Sequence, residues 1–258
     1  MERARLGCKP VSAAGGRPED GSLRHLLILE VTTAPLVVAR PRRPPEGVET
    51  HGGGERLDAL AWLRAEMRVS DGRLRFSVLD LHGVSAGSAA GEPLLLHAAA
   101  QEFGRSRHPL LVTFGGRSRA LPFLRFRGLA HRISMPQLYP SLDQDAYFEP
   151  SGRDWHLDLD EVLGAGGLDS RASLEGVAAA LGYPSPPQGA SCDPGALELR
   201  AVTVYALLLT LLRHTDRVSA EGFTLAAADA ADVLTAQAMA DERMRRLLDA
   251  LEAAAAAI

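Results

Sequence analysis

Short uninterrupted apolar runs alternate along this chain with stretches of helical periodicity, and their order predicts an α/β fold. Leu26-Leu27-Ile28-Leu29-Glu30-Val31 is a short run with a single polar interruption, the pattern of a strand buried on both faces. Leu57 to Val69 carries two patterns at once. Leu60, Leu63 and Met67 fall at helical spacing, whereas Leu60 with Trp62, and then Met67 with Val69, fall at strand spacing with one shift between them. The next segment decides between them: Ser70-Asp71-Gly72-Arg73 is a turn signal, and Leu74, Phe76 and Val78 alternate with Arg75 and Ser77. An antiparallel hairpin over 57–81 is therefore expected. Glu92 to Phe103 returns to helical spacing through Leu95, Ala99 and Phe103, and Leu110 to Phe114 is another short buried strand.

The second half reads as almost entirely helical. Leu121 to Ala130 is a predicted helix with Pro122 in its first turn, where a missing N–H does no harm. Trp155 to Leu163 reads as a short strand or turn followed by helix. Ser173 opens a helix to Leu181 that Gly182 and Pro184 end. Pro194 to Arg213 is a long apolar helix, and Thr224 to Ile258 is a helix or pair of helices ending in alanines. Two stretches lack any period: residues 1–22, rich in Gly, Pro, Ala and Arg, read as a disordered head, and Arg40 to Gly54, with its prolines and the glycines at 52–54, reads as a loop. The expected organisation is a head over 1–22, an α/β domain over 23–216 and a helical C-terminal extension over 217–258.

Composition narrows the function classes. With 258 residues, 46% apolar and 23% charged, the chain has the ordinary make-up of a globular protein. The apolar run Val202 to Leu212 is bounded by Arg200 and Arg213, which fits a buried core helix better than a membrane span. Cys8 and Cys192 have no partners at zinc spacing and form no disulfide framework, so a reducing, cytoplasmic setting is expected. A net charge of −4 means that any contact with nucleic acid must come from a local patch.

Three ordered segments resemble one family. Leu110-Leu111-Val112-Thr113-Phe114-Gly115-Gly116-Arg117-Ser118-Arg119-Ala120-Leu121-Pro122-Phe123-Leu124 is similar to the strand-to-helix motif Ser/Thr-Phe-Asn-Gly-Arg-x-Phe-Asp-Leu-Pro-x-Leu of the predicted 3'-5' exonucleases related to the exonuclease domain of family B DNA polymerases. His156-Leu157-Asp158-Leu159, followed by Ser173-Leu174-Glu175-x-Val177-Ala178 and Leu181-Gly182, resembles that family's His-x-Asp-Leu and Ser-Leu-Asp-x-Val-Ala…Leu-Gly pair. Leu29-Glu30-Val31-Thr32-Thr33-Ala34-Pro35 looks like its opening strand, Phe-Asp-Ile-Glu-Thr-x-Pro.

The resemblance implies a ribonuclease H-like mixed sheet with helices on both faces. It also implies a site in which four carboxylates hold two divalent metals about 3.5–4 Å apart for phosphodiester hydrolysis. Carried over one at a time, those positions depart from the pattern. The opening strand's Asp falls on Glu30 and its companion Glu on Thr32; the Asp of the strand-to-helix motif falls on Ala120; the Tyr and Asp of the family's further motif, Tyr-x-x-x-Asp on the last core helix, fall on Arg200 and Val204. Register does not rescue the last two acids, because no Asp or Glu occurs from Leu199 to Thr215 or between Phe103 and Leu142. The expectation is a pseudoenzyme that binds no metal cofactor. The enzyme alternative is an Mg²⁺- or Mn²⁺-dependent exonuclease using displaced acids such as Glu30, Asp158 and Asp160.

Other constellations are weaker. His156 and Asp158 share one strand face at i and i+2, but two ligands without a third fit a structural turn better than a metal site. Ser118 with His108 or His131 lacks a nucleophile elbow, and Gly52-Gly53-Gly54 lacks the Lys-Ser/Thr of a phosphate loop. Seven arginines and no acid lie between Phe103 and Leu142. Among the residues there, Arg117, Ser118, Arg119, Arg125 and Arg127 are the candidates for contacting single-stranded nucleic acid, with Phe123 and Phe126 interleaved for stacking. A solvated arginine face fits the same residues equally well. The C-terminal segment, with eight acids against four arginines from Asp216 onward, is expected to dock on its own sheet, or else to serve a protein partner or a homodimer.

Overall fold

The computed structural model describes residues 23–35, 55–87, 91–105, 109–139, 156–164, 173–186 and 193–257. The predicted head, the Gly52–Gly54 loop, both cysteines and His108 lie outside the described residues.

The opening apolar run is the middle of a longer strand, β1 (Leu23–Pro35), and its side chains alternate between two separate cores. Leu26 and Ile28 belong to one core and Leu27 and Leu29 to the other, as the two-residue period of a strand requires. β1 pairs antiparallel with β2 (Glu55–Ser70), which turns back into β3 (Arg73–Ser85). Asp71 and Gly72 sit at φ +53° and +72°, the two positive values that make an Asp-Gly hairpin turn match strand twist. On its other side β1 pairs in parallel with β4 (Leu110–Thr113), reached through helix α1 (Glu92–Arg105), and β4 pairs in parallel with the three-residue β5 (His156–Asp158). The sheet order is β3-β2-β1-β4-β5. A central first strand with an antiparallel hairpin on one side and parallel strands on the other is a mixed α/β sheet, consistent with a ribonuclease H-like fold.

Helices cover both faces. On one, α1 and α2 (Ala120–Ala130) pack on Leu27, Leu29, Leu60 and Trp62. The other carries α5 (Pro194–His214), α6 (Ala220–Val233) and α8 (Glu242–Ala256), whose Val202, Phe223 and Leu247 share a core with Leu26 and Ile28. Short helices α3 (Leu159–Gly164), α4 (Leu174–Ala180) and α7 (Thr235–Ala240) complete the described α-helices, and Pro136–Leu138 forms a 3₁₀ turn. Ser173, Asp193 and Ser219 cap α4, α5 and α6 through their side-chain oxygens, satisfying backbone donors that would otherwise lack partners. Among the described residues α5 is the one helix long and apolar enough to cross a membrane, and most of it is buried against the sheet.

The second pattern in Leu57–Val69 has a plain cause. At the first half of β2 both faces are covered, so Leu60, Ala61, Trp62 and Leu63 are all buried. Beyond it only one face is covered, and Arg64, Glu66 and Arg68 alternate with Ala65, Met67 and Val69. A bulge in β3 skips Leu79, so the inward set passes from Phe76 and Val78 to Leu81.

One row across the sheet sets the height of α5. Glu30 on β1 lies opposite Ala61 on β2, and Ala61 opposite Gly83 on β3. Leu197 packs on Ala59 and Ala61. A Cβ on Gly83 would come within 2.8 Å of the Pro194 carbonyl oxygen, which is closer than real contacts allow. Small side chains along this row let α5 lie low over the sheet, and one turn beyond Leu197 that descent brings Arg200 to Glu30.

Candidate active site

At the C-terminal end of β1 a cavity of about 290 Å³ opens between the sheet, the β4–α2 loop, α4 and α5. Glu30 and Thr32 line it from β1, and Thr113 to Gly116 from β4 and its loop. Arg119, Ala120 and Phe123 line it from the start of α2, Glu175 from α4 and Arg200 from α5. The fold thus gathers four of the five positions read from the sequence: Glu30, Thr32, Ala120 and Arg200. Val204, one turn further along α5, points into the core and is fully buried.

Ion pairs fill the floor. Arg200 Nε donates to Glu30 Oε2 at 3.1 Å, and its Nη1 donates to Glu175 Oε1 at 2.5 Å. All three side chains are largely buried, Arg200 at 19% exposure. Burial pushes the Glu30 carboxyl above its ordinary range, the pull of Arg200 offsetting only part of it. Glu175 is partly buried too, but its own backbone amide and the Arg200 guanidinium outweigh that effect and hold it below the usual carboxylate range. Glu175 was not among the site residues read from the sequence. Its signal there is the acid of Ser173-Leu174-Glu175, at the position where the family motif has Asp.

The β4–α2 loop is held by Asp158. Its Oδ1 accepts from the amides of Gly115 at 2.7 Å and Asp160 at 3.2 Å, and its Oδ2 from Arg117 at 2.7 Å. His156 is buried beside Thr113, with Nε2 2.9 Å from the hydroxyl oxygen. Desolvation pushes its imidazole down to about 4, against the pull of Asp158. The pair His156–Asp158, on strand β5 rather than in a turn, thus fastens the edge strand to the loop.

The arginine candidates separate into two groups. Arg127 is 12% exposed and bidentate on Glu92, at 2.7 and 2.5 Å, and the same carboxylate accepts from the Leu57 amide. Arg125 donates from Nε to the Leu138 carbonyl at 2.6 Å and lies over the Tyr139 ring. These two hold α2 to its neighbours. Arg117 pairs with Glu161 at 2.7 Å and is about half exposed, while Ser118 donates to the Gly115 carbonyl. Arg119 is 76% exposed at the rim of the cavity, 3.7 Å from Glu55. Ser118 and His131 stand at opposite ends of α2, so they form no catalytic pair.

Residues 63–187 match the sequence model of the predicted 3'-5' exonucleases related to the exonuclease domain of PolB. This central segment is similar to that family. No curated protein matches the chain.

The family implies divalent metals, and the described side chains of the pocket do not fit them. Among the described residues no three His, Cys, Asp or Glu groups converge closely enough to hold an ion. Hard cations require several oxygen ligands, and the two carboxylates of this exonuclease-like pocket already share a guanidinium.

Proposed function

We propose that the protein is a catalytically silent 3'-5' exonuclease-like domain. The observation that carries this reading is the pocket's lining: Thr32 and Ala120 stand at two positions where the family's motif has acids, and Val204, at a third, is buried in the core away from the cavity. A single remaining carboxylate at the family positions cannot neutralise two divalent ions. Displaced acids are a poor substitute, because Asp158 spends both oxygens on backbone amides and Glu30 pairs with Arg200. The expected outcome is no turnover of labelled single-stranded DNA or RNA by the purified full chain in Mg²⁺ or Mn²⁺. Metal-dependent degradation that is lost in Glu30→Gln would overturn it.

A retained contact with single strands is the second part of the reading, and the exposure of Arg119 at the cavity rim beside Phe123 favours it. Phosphate contact falls to Arg117 and Arg119, since Arg125 and Arg127 serve internal partners. Binding is then weak, metal-independent and salt-sensitive, with a slope of about −0.7 in log affinity against log salt for each phosphate neutralised. Arg117→Ala combined with Arg119→Ala should weaken it in a fluorescence-anisotropy titration at low salt. Equal binding by the double variant would assign these arginines to a solvated face and favour a protein-interaction role.

A further inference from the structure

We propose that Arg200 is the resident cation of the pocket, neutralising through a covalently tethered guanidinium the acidic floor where its family would place divalent ions. Three observations converge on it. Glu30 and Glu175 come from elements far apart in the chain, yet one guanidinium bridges them, with separate nitrogens at 3.1 and 2.5 Å. Both carboxylates are largely buried, so without a cation between them they repel each other and one must take up a proton. The third observation lies outside the pocket: Gly83, Ala61 and Ala59 give α5 the close approach that carries Arg200 down to β1.

Arginine suits this role where lysine does not. Its fork of donors spans two acceptors at once, and it stays charged at any pH the fold survives. Because the cation is part of the chain, the pocket's charge balance is independent of ambient metal. The converse also follows: with the guanidinium removed, Glu30 and Glu175 become a weak oxygen site for a hard divalent cation.

This inference rests on the ion-pair geometry and is separable from the absence of turnover, because it is read by unfolding rather than by nuclease activity. Thermal unfolding of the full chain is compared in EDTA and in millimolar Mn²⁺. The midpoint of the unsubstituted protein is expected to be the same in both. Arg200→Ala should lower the midpoint in EDTA by on the order of 10 °C and recover part of the loss in Mn²⁺, with Glu175→Gln in the same background removing the recovery. A metal-dependent midpoint in the unsubstituted chain, or an Arg200→Ala variant that is as stable as the parent or gains nothing from Mn²⁺, overturns the proposal. If Arg200→Ala does not fold in either buffer, Arg200→Met is compared with Glu30→Gln combined with Arg200→Met. The proposal requires the double variant to be the more stable, because it relieves the repulsion and enforced protonation of two acids left without their cation; equal instability assigns Arg200 to packing and overturns it.

Discussion

His156 is a buried imidazole whose burial favours the neutral form. Its folded value of about 4 lies below the ordinary imidazole value of 6.5, so unfolding below that ordinary value takes up a proton. The stability it confers is complete above about pH 6.5 and is lost as pH falls toward 4. The slope reaches about 1.4 kcal/mol per pH unit, roughly 3 kcal/mol across the window. Denaturant unfolding at pH 7 and pH 4.5 should show a larger loss for the parent than for His156→Gln. Equal losses would mean that carboxylates alone cause the acid sensitivity. Residues also mark where sequence reading stops. The positions Glu30, Ala120 and Arg200 are legible because each falls in an ordered motif. That Arg127 is spoken for by Glu92 while Arg119 is exposed has no local signature, since both are arginines in the same acid-free stretch and only tertiary contacts tell them apart.

At the level of elements, the height of α5 is the variable that the pocket depends on. Ala61 is fully buried beneath that helix. Ala61→Leu adds volume where there is none to spare, which costs about 1–3 kcal/mol and lifts Arg200 away from Glu30. The expected signature is a lower midpoint together with a Mn²⁺ response that the parent lacks, since the pocket's cation has been withdrawn. A destabilised variant indifferent to Mn²⁺ would show that α5 can tilt without moving Arg200. Most of the element order was legible: β1 to β4 and the helices over 92–105, 120–130, 174–180 and 194–214 lie where periodicity and caps put them, while β5 settles a stretch that read equally as strand or turn. β2 was ambiguous because its cover changes from two faces to one partway along. That property belongs to the helices above it and leaves only an apparent shift in its own pattern.

On the scale of the whole molecule, the C-terminal helices are part of the main core. Phe223 and Leu247 share a cluster with Leu26, Ile28 and Tyr205, so the segment docks on its own sheet. A chain ending at Asp216 would leave Phe76, Val78 and Tyr205 short of their covering helices. It is expected to lose its near-ultraviolet circular dichroism and to bind a hydrophobic dye while keeping much of its helix signal. A truncated chain that unfolds cooperatively at the parent's midpoint would show that residues 23–216 suffice on their own.

The same C-terminal segment reaches past the face of the sheet to its rim. The outward amide of Leu74 donates to the Arg217 carbonyl at 2.9 Å, and that of Val78 donates to Asp229 at 2.5 Å. At the opposite rim β5 is three residues long. Unpaired strand amides are templates for cross-chain pairing, and here one rim is occupied by the chain's own tail while the other is too short to recruit a neighbour. At Leu74 and Val78, the tail that completes the core therefore also takes up edge amides that a neighbouring copy would otherwise meet.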